Sequence, residues 1–219
     1  MTLRVTRART EADALVATLR RRGVAALAAP CLEYSTLPVN LDRWRGHDAD
    51  LLITSPRAVG AVPALDPAWR LLALAPETRR GLEDAGLRVD LSMRGGAAEL
   101  ASAARAGPVL HLTSNLGGDE VRRVRPDAWV YPAYITACPE SLPAPVLEAV
   151  KAPYELLFFS PSAVRHLEHL LPGALAAAQR VWWFGDTTRV ELAARGITGV
   201  PWKEDLAVAA LGPAANQTG

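Results

Sequence analysis

Lysine, cysteine and long apolar runs are scarce in this chain of 219 residues. Lys151 and Lys203 are its only lysines, and 24 basic residues against 23 acidic ones leave a formal charge of +1. That balance argues against a general electrostatic attraction to nucleic acid or to an anionic membrane, so neither is expected as a partner. An anionic partner has to be met locally, and arginine offers a planar fork that grips carboxylates or phosphates at two points. The two cysteines, Cys31 and Cys138, have neither metal-ligand spacing nor a C-x-x-C pairing, and free thiols are expected. No run of 18 apolar residues occurs, and Met1–Arg7 opens directly into an alternating stretch without a secretory leader pattern. A cytoplasmic location is the expectation.

Several motifs of catalysis are also missing. There is no Walker A loop, no G-x-G-x-x-G and no G-x-S-x-G, so nucleotide chemistry and serine-type hydrolysis are not indicated. The four histidines are His47, His111, His166 and His169. The last two stand three residues apart without a suitably spaced carboxylate and read as a solvated helix face, so no metal and no cofactor are expected.

What is present is a soluble α/β pattern, with half of the residues hydrophobic. Leu3–Thr6 reads as a strand. Thr10 with Glu11 and Asp13 reads as a helix start, Arg20-Arg21-Arg22 and Gly23 as its end, and Val24–Ala29 as the next strand. Strand, helix, strand is the signature of a parallel sheet covered on both faces. Further strands are expected at Asp50–Thr54, Leu71–Ala75, Val109–Thr113, Trp129–Tyr134, Leu156–Ser160 and Val181–Phe184. Pro30–Leu41 and Ala133–Pro145 lack helical periodicity and read as linkers.

An internal repeat organises the chain. Leu51–Val59 aligns with Leu156–Val164, and Thr78-Arg79, Leu82 and Gly86 align with Thr188-Arg189, Leu192 and Gly196 at the same spacing. The third match breaks linear order, because Leu110-His111-Leu112-Thr113 most resembles Leu3-Arg4-Val5-Thr6. The repeat is therefore circularly permuted. The expected domains are 1–30 with 142–219, discontinuous, and 40–134, continuous, with 31–39 and 135–141 as paired linkers and a cleft between the domains.

In an open parallel sheet, ligands sit beyond the carboxyl ends of the strands. Thr54-Ser55-Pro56, Ser160-Pro161-Ser162, Asp186-Thr187-Thr188 and Thr113-Ser114-Asn115 all fall there, each with hydroxyls and free backbone N–H groups. Simple N-capping explains any one of them equally well. Arg7, Arg57, Arg79 and Arg189 each stand close to such an end, as solvated surface groups or as grips for a polycarboxylate or phosphate. Tyr134 lies where the continuous domain passes into its exit linker, either as a hinge anchor or as a neutral proton donor.

Leu3-Arg4-Val5-Thr6-Arg7, Gly23, Pro30, Ile53–Val59, Tyr134-Ile135-Thr136, Phe158–Val164 and Gly185-Asp186-Thr187-Thr188, in that order along nearly the whole chain, resemble the uroporphyrinogen-III synthase family. The resemblance implies two Rossmann- or flavodoxin-like parallel-sheet domains, one discontinuous, joined by a two-stranded ladder. It implies a cofactor-free lyase of haem, sirohaem and cobalamin biosynthesis, expected as a monomer. Its substrate would be hydroxymethylbilane, a linear tetrapyrrole with carboxylates on every ring, closed with inversion of the terminal ring and loss of water. The resemblance points to Thr6, Arg7, Thr54, Ser55, Arg57, Ser114, Asn115, Ser160, Ser162, Thr187 and Thr188 as substrate-binding, with Tyr134 as candidate donor to the departing hydroxyl.

Three departures from the family pattern stand out. Ala75 replaces a glycine, Asp186 replaces a small residue or proline, and Gly118–Trp129 is shorter and richer in arginine. They motivate an alternative, a non-catalytic tetrapyrrole- or polyanion-binding sensor. Such a relative would be expected to carry a helix-turn-helix, for which the stretch after Gly185, read as one helix, a strand and a last short helix, leaves no room. A hinge-type binding protein is a further alternative, normally exported.

Overall fold

The computed structural model describes residues 1–149 and 152–203. The chain divides into two compact units, Met1–Glu33 with Ala137–Gly219, and Tyr34–Thr136. In chain order it begins β1 (Thr2–Val5), α1 (Arg9–Arg21), β2 (Ala26–Ala28), β3 (Glu33–Thr36), β4 (Asp50–Ile53), β5 (Arg70–Leu74) and α2 (Ala75–Asp84). There follow β6 (Leu91–Met93), α3 (Ala97–Ser102), β7 (Val109–Ser114), α4 (Asp119–Val124), β8 (Trp129–Ala137) and α5 (Ala144–Glu148). The last described elements are β9 (Tyr154–Phe158), α6 (Pro161–Leu170), α7 (Ala174–Ala177), β10 (Arg180–Trp183), α8 (Asp186–Ala193) and β11 (Val200–Pro201).

Two sheets result. One runs β11-β10-β9-β1-β2 and the other β3-β8-β7-β4-β5-β6. The pairings of the first sheet are parallel, as are those from β8 to β6 in the second. The permuted repeat is visible in these orders: β1 takes the place of β7, β9 of β4, β10 of β5, β11 of β6 and β2 of β8. Registers agree as well, since Leu51 opposes Leu71 and its counterpart Leu156 opposes Val181.

The second unit shows why its strands read as unbroken apolar runs. Alternate residues go to opposite faces. Leu51, Ile53, Leu71, Ala73, Leu110 and Leu112 join one core with Ala58 and Leu82, whereas Leu52, Leu72 and Val109 join another with Leu100 and Val121. In the first unit, Leu3, Val5, Leu157 and Trp182 pack with Ala12, Val16 and Leu19 of α1. Helices α1, α2 and α8 end alike: the amides of Val24, Leu87 and Ile197 reach back to the carbonyls of Leu19, Leu82 and Leu192 at 3.0, 3.0 and 3.1 Å. The residue between is Gly23, Gly86 or Gly196, all at positive φ, which is a Schellman closure.

Some elements differ from expectation. Helix α1 begins at Arg9, and Ala8 caps it without a side-chain bond, so Thr10 lies inside the first turn. The Arg7–Glu11 ion pair at 2.9 Å spans that start instead. Strand β5 stops at Leu74 because Ala75 has φ +68°. In the stretches expected to run as paired linkers, β3 lies beside β8, with the Leu37 amide on the Ala133 carbonyl at 2.8 Å, and β8 runs on to Ala137. The short edge strand β6 is not among the expected strands, whereas β11 is the strand expected after Gly185 and α8. The expected last helix near the C-terminus lies outside the described residues.

Candidate functional site

The strand-end motifs fold as caps. Ser55, two residues past the end of β4, caps the 3-10 segment Pro56–Ala61, its Oγ accepting the Arg57 amide at 3.3 Å. Ser160 does the same for α6, accepting the Ala163 amide at 3.2 Å. Ser114 Oγ accepts the Leu116 amide at 3.2 Å, and Ser162 Oγ accepts from Arg165 at 3.3 Å. Capping and ligand binding are compatible here, because a hydroxyl that accepts one N–H keeps its own hydrogen to donate.

Thr6 and Asn115 are different. Thr6 is fully buried and donates its hydroxyl hydrogen to the Leu157 carbonyl at 2.7 Å, which holds β1 to β9. Its hydroxyl hydrogen is thereby engaged within the fold. Asn115 accepts the Thr136 amide on Oδ1 at 2.8 Å and gives its own amide to the Tyr134 carbonyl at 3.0 Å, beside the register shift between β7 and β8. Its side-chain NH2 is what remains for a ligand.

At the starts of α2 and α8 the repeat is close. Ala75 and its counterpart Gly185 both carry positive φ, +68° and +82°. Thr78 and its counterpart Thr188 are both buried, and the Oγ1 of each has no hydrogen-bond partner among the described residues. Thr187 is exposed. Asp186, the departure in α8, sits in the first turn, where a carboxylate suits the helix dipole, and pairs with Arg189 at 2.7 Å.

The four arginines fall into two kinds. Arg79 and Arg189 form exposed pairs on their own helices with Glu83 and Asp186, both at 2.7 Å. Arg7, which also pairs with Glu11, and Arg57 lie over aromatic rings, at 4.7 Å from the centroid of Phe159 and 4.0 Å from that of Tyr34. Tyr134, 8 % exposed, belongs to the apolar core of the second unit and meets Tyr34 edge-on at 6.1 Å.

Sequence reasoning missed three features. His111, only 1 % exposed on β7, places Nε2 2.9 Å from Thr54 Oγ1. Burial first, and then the charge of Arg122, push its pKa down to about 4, so the ring is neutral at pH 7. Its counterpart in the repeat, Arg4, is equally buried, donates to the Ala149 carbonyl at 2.7 Å and stacks 3.6 Å from the Tyr154 centroid. Aligning the repeat flags this pair, because both interrupt an apolar strand. The third is aromatic: Phe184, 58 % exposed after β10, lies 5.8 Å from Phe159.

His166 corrects an expectation. It is half-buried, with Nδ1 2.8 Å from the Cys31 carbonyl, rather than solvated beside His169. Cys31 and Cys138 are free thiols; burial raises the pKa of both. Among the described residues, no three His, Cys, Asp or Glu side chains are grouped to hold a metal ion, and no helix is long and apolar enough to cross a membrane.

The architecture matches known structures. Uroporphyrinogen-III synthetase from Helicobacter pylori superposes with a TM-score of 0.66 at 18 % identity, covering 96 % of this chain and 100 % of that one. A mutant uroporphyrinogen III synthase from Thermus thermophilus gives 0.61 at 17 % identity, with coverages of 96 % and 95 %. Identities this low establish the fold. No curated protein sequence matches the chain. The family model of uroporphyrinogen-III synthase HemD matches residues 13–211, nearly the whole length, and the chain belongs to that family of cyclising lyases of tetrapyrrole biosynthesis.

Proposed function

We propose that the strand ends described above bind hydroxymethylbilane and impose the geometry of its closure. The carrying observation is that both units repeat one device, a strand ending in a hydroxyl-capped turn, at Ser55 and at Ser160. Two such devices supply hydroxyl hydrogens and backbone amides for a substrate that carries carboxylates on every ring. Charge-assisted hydrogen bonds of this type are worth about 1.5–3 kcal/mol each, so a few are enough to hold the chain of pyrroles. The set is Thr54, Ser55, Ser114, Asn115, Ser160, Ser162, Thr187 and Thr188, with Arg7 and Arg57. The exposed Phe184 beside Phe159 offers an apolar face on which a pyrrole ring stacks.

The chemistry asks little of a dedicated dyad. Protonation of the terminal hydroxyl releases water, with the pyrrole nitrogen pushing its electron pair to form an azafulvene electrophile. Attack by the substituted carbon of the terminal ring gives a spiro intermediate. That intermediate fragments, and the ring recloses inverted with loss of a proton. Holding flexible rings in one conformer is the main task, and orientation of this kind lowers barriers by several kcal/mol.

Tyr134 is the proposed proton donor to the leaving hydroxyl. Tyr134→Phe is then expected to lower kcat by roughly a hundredfold or more, in the range of general-acid effects, with the melting temperature little changed. Full turnover in that variant removes the acid role; parallel loss of stability and activity assigns Tyr134 to packing. The reading carries the protein as a cytoplasmic monomer without cofactor, its balanced charge of +1 suiting a small-molecule partner better than nucleic acid.

A further inference from the structure

A pocket of about 380 Å³ opens in the second unit where β4 and β7 end, lined by Thr54, His111, Thr113, Gly117, Gly118 and Arg123 among others. Gly118 has φ +112°, and a Cβ there would stand 2.7 Å from Val130 Cγ1, so the turn keeps its path only with glycine. Two carboxylates, Asp119 and Glu120, also border the pocket; both are exposed to solvent, and Arg122 lies 4.0 Å from Asp119.

The hydrogen bond between His111 Nε2 and Thr54 Oγ1 can run in either direction, and the structure favours one. A neutral imidazole carries one N–H. His111 Nδ1 is buried and has no partner among the described residues. A hydrogen on Nδ1 would be an orphaned buried donor, a rare and costly arrangement, whereas a bare lone pair there is better tolerated. The hydrogen therefore sits on Nε2 and is donated to Thr54 Oγ1. Thr54 accepts from the ring and keeps its own hydroxyl hydrogen, polarised by the bond it receives, for another acceptor.

We propose that His111 is a positioning residue that holds the Thr54 hydroxyl as a donor to a substrate carboxylate entering this pocket. The inference rests on the reading of the chain as a hydroxymethylbilane-binding enzyme. It adds a residue that does not itself touch the substrate and fixes the direction of a hydrogen bond that does. The opposite tautomer would bind Thr54's hydrogen to Nε2 and leave the pocket without that donor.

Two measurements test it. Long-range ¹H–¹⁵N NMR correlation of the histidine rings in the intact, unsubstituted protein is expected to show His111 protonated on Nε2; protonation on Nδ1 overturns the proposal. Kinetically, Thr54→Val is expected to raise KM for hydroxymethylbilane about tenfold with kcat little changed, and Thr54→Ser to restore it, as loss and return of one bond to an anion predict. His111→Gln, which keeps a side-chain N–H, should lie near wild type, and His111→Leu should resemble Thr54→Val. Adding His111→Leu to Thr54→Val should then cost nothing more, whereas two full independent penalties contradict action through Thr54. If His111→Leu does not fold, the NMR result and the Thr54 pair decide. If the unsubstituted chain makes no uroporphyrinogen III, the functional reading fails instead, and the tautomer still tests the His111–Thr54 bond.

Discussion

Ala75 takes a left-handed φ of +68° at a position whose counterpart in the repeat is glycine. A side chain in that region costs about 1–2 kcal/mol, while glycine loses about 0.4–1 kcal/mol more chain entropy on folding. Ala75→Gly is therefore expected to stabilise the chain by roughly 0.5–1 kcal/mol in urea denaturation, the balance of those two effects. An unchanged or lowered stability would show that the strain is relieved elsewhere. The departure was legible in the sequence as an alanine in a glycine position, but its backbone conformation was not. Residues whose role follows from a local pattern were also readable: Ser55 and Ser160 stand before proline at strand ends. Thr6 lies at such an end too, but only the register of β1 on β9 shows that its hydroxyl is taken by Leu157. His111 gave no signal of its own, since a single histidine in an apolar strand has no spacing to read.

At the scale of elements, two buried polar groups sit on neighbouring strands of the second sheet. Asp50, at the start of β4, is fully covered and bound by Arg70 at 3.0 and 2.6 Å and by Arg105 through its backbone amide at 2.8 Å and its side chain at 3.0 Å. Burial alone would raise its pKa, but the bonds from Arg70 and Arg105 outweigh it and hold the carboxyl below its ordinary value. Asp50→Asn leaves two guanidinium groups facing an amide. With both arginines partly in solvent, the expected loss is about 2–3 kcal/mol, below the usual figure for a fully buried pair. A change under a few tenths of a kcal/mol in chemical denaturation would show that the network adds nothing. His111 on β7 sets a pH dependence of opposite origin. Its pKa is lowered to about 4 when folded, from an ordinary value of about 6.5. The unfolded chain therefore gains a proton that the folded one refuses. The stability due to the neutral ring is complete above about pH 6.5 and is lost as pH falls toward 4. The melting temperature of the unsubstituted chain should fall more steeply across that window than that of His111→Gln; equal slopes would place the ring in a less buried setting. Central strands such as β4 and β7 were readable because both faces are apolar. The edge strands β3 and β6 of the second sheet were not, because β3 is Glu-Tyr-Ser-Thr and β6 has three residues, and neither fills a core position in full.

For the whole molecule, the permuted repeat was legible because equivalent strands keep their side chains: Leu3 and Leu110 are both buried, and Arg4 and His111 both interrupt the run. The matching strand orders follow from that pattern. Finer boundaries depend on pairing that local sequence does not encode: the division between the two units falls after Glu33 and after Thr136. No motif resembles a catalytic dyad, and on the proposed reading chemical control comes from hydroxyls and amides whose value lies in position. The central claim is therefore about geometry imposed on a reactive substrate, and the isomer ratio of the product reports on it. Freshly prepared hydroxymethylbilane, incubated with the protein and oxidised for chromatography, should yield uroporphyrin III in large excess over the symmetric isomer formed without protein. A product consisting of the symmetric isomer alone, at the uncatalysed rate, would contradict the account.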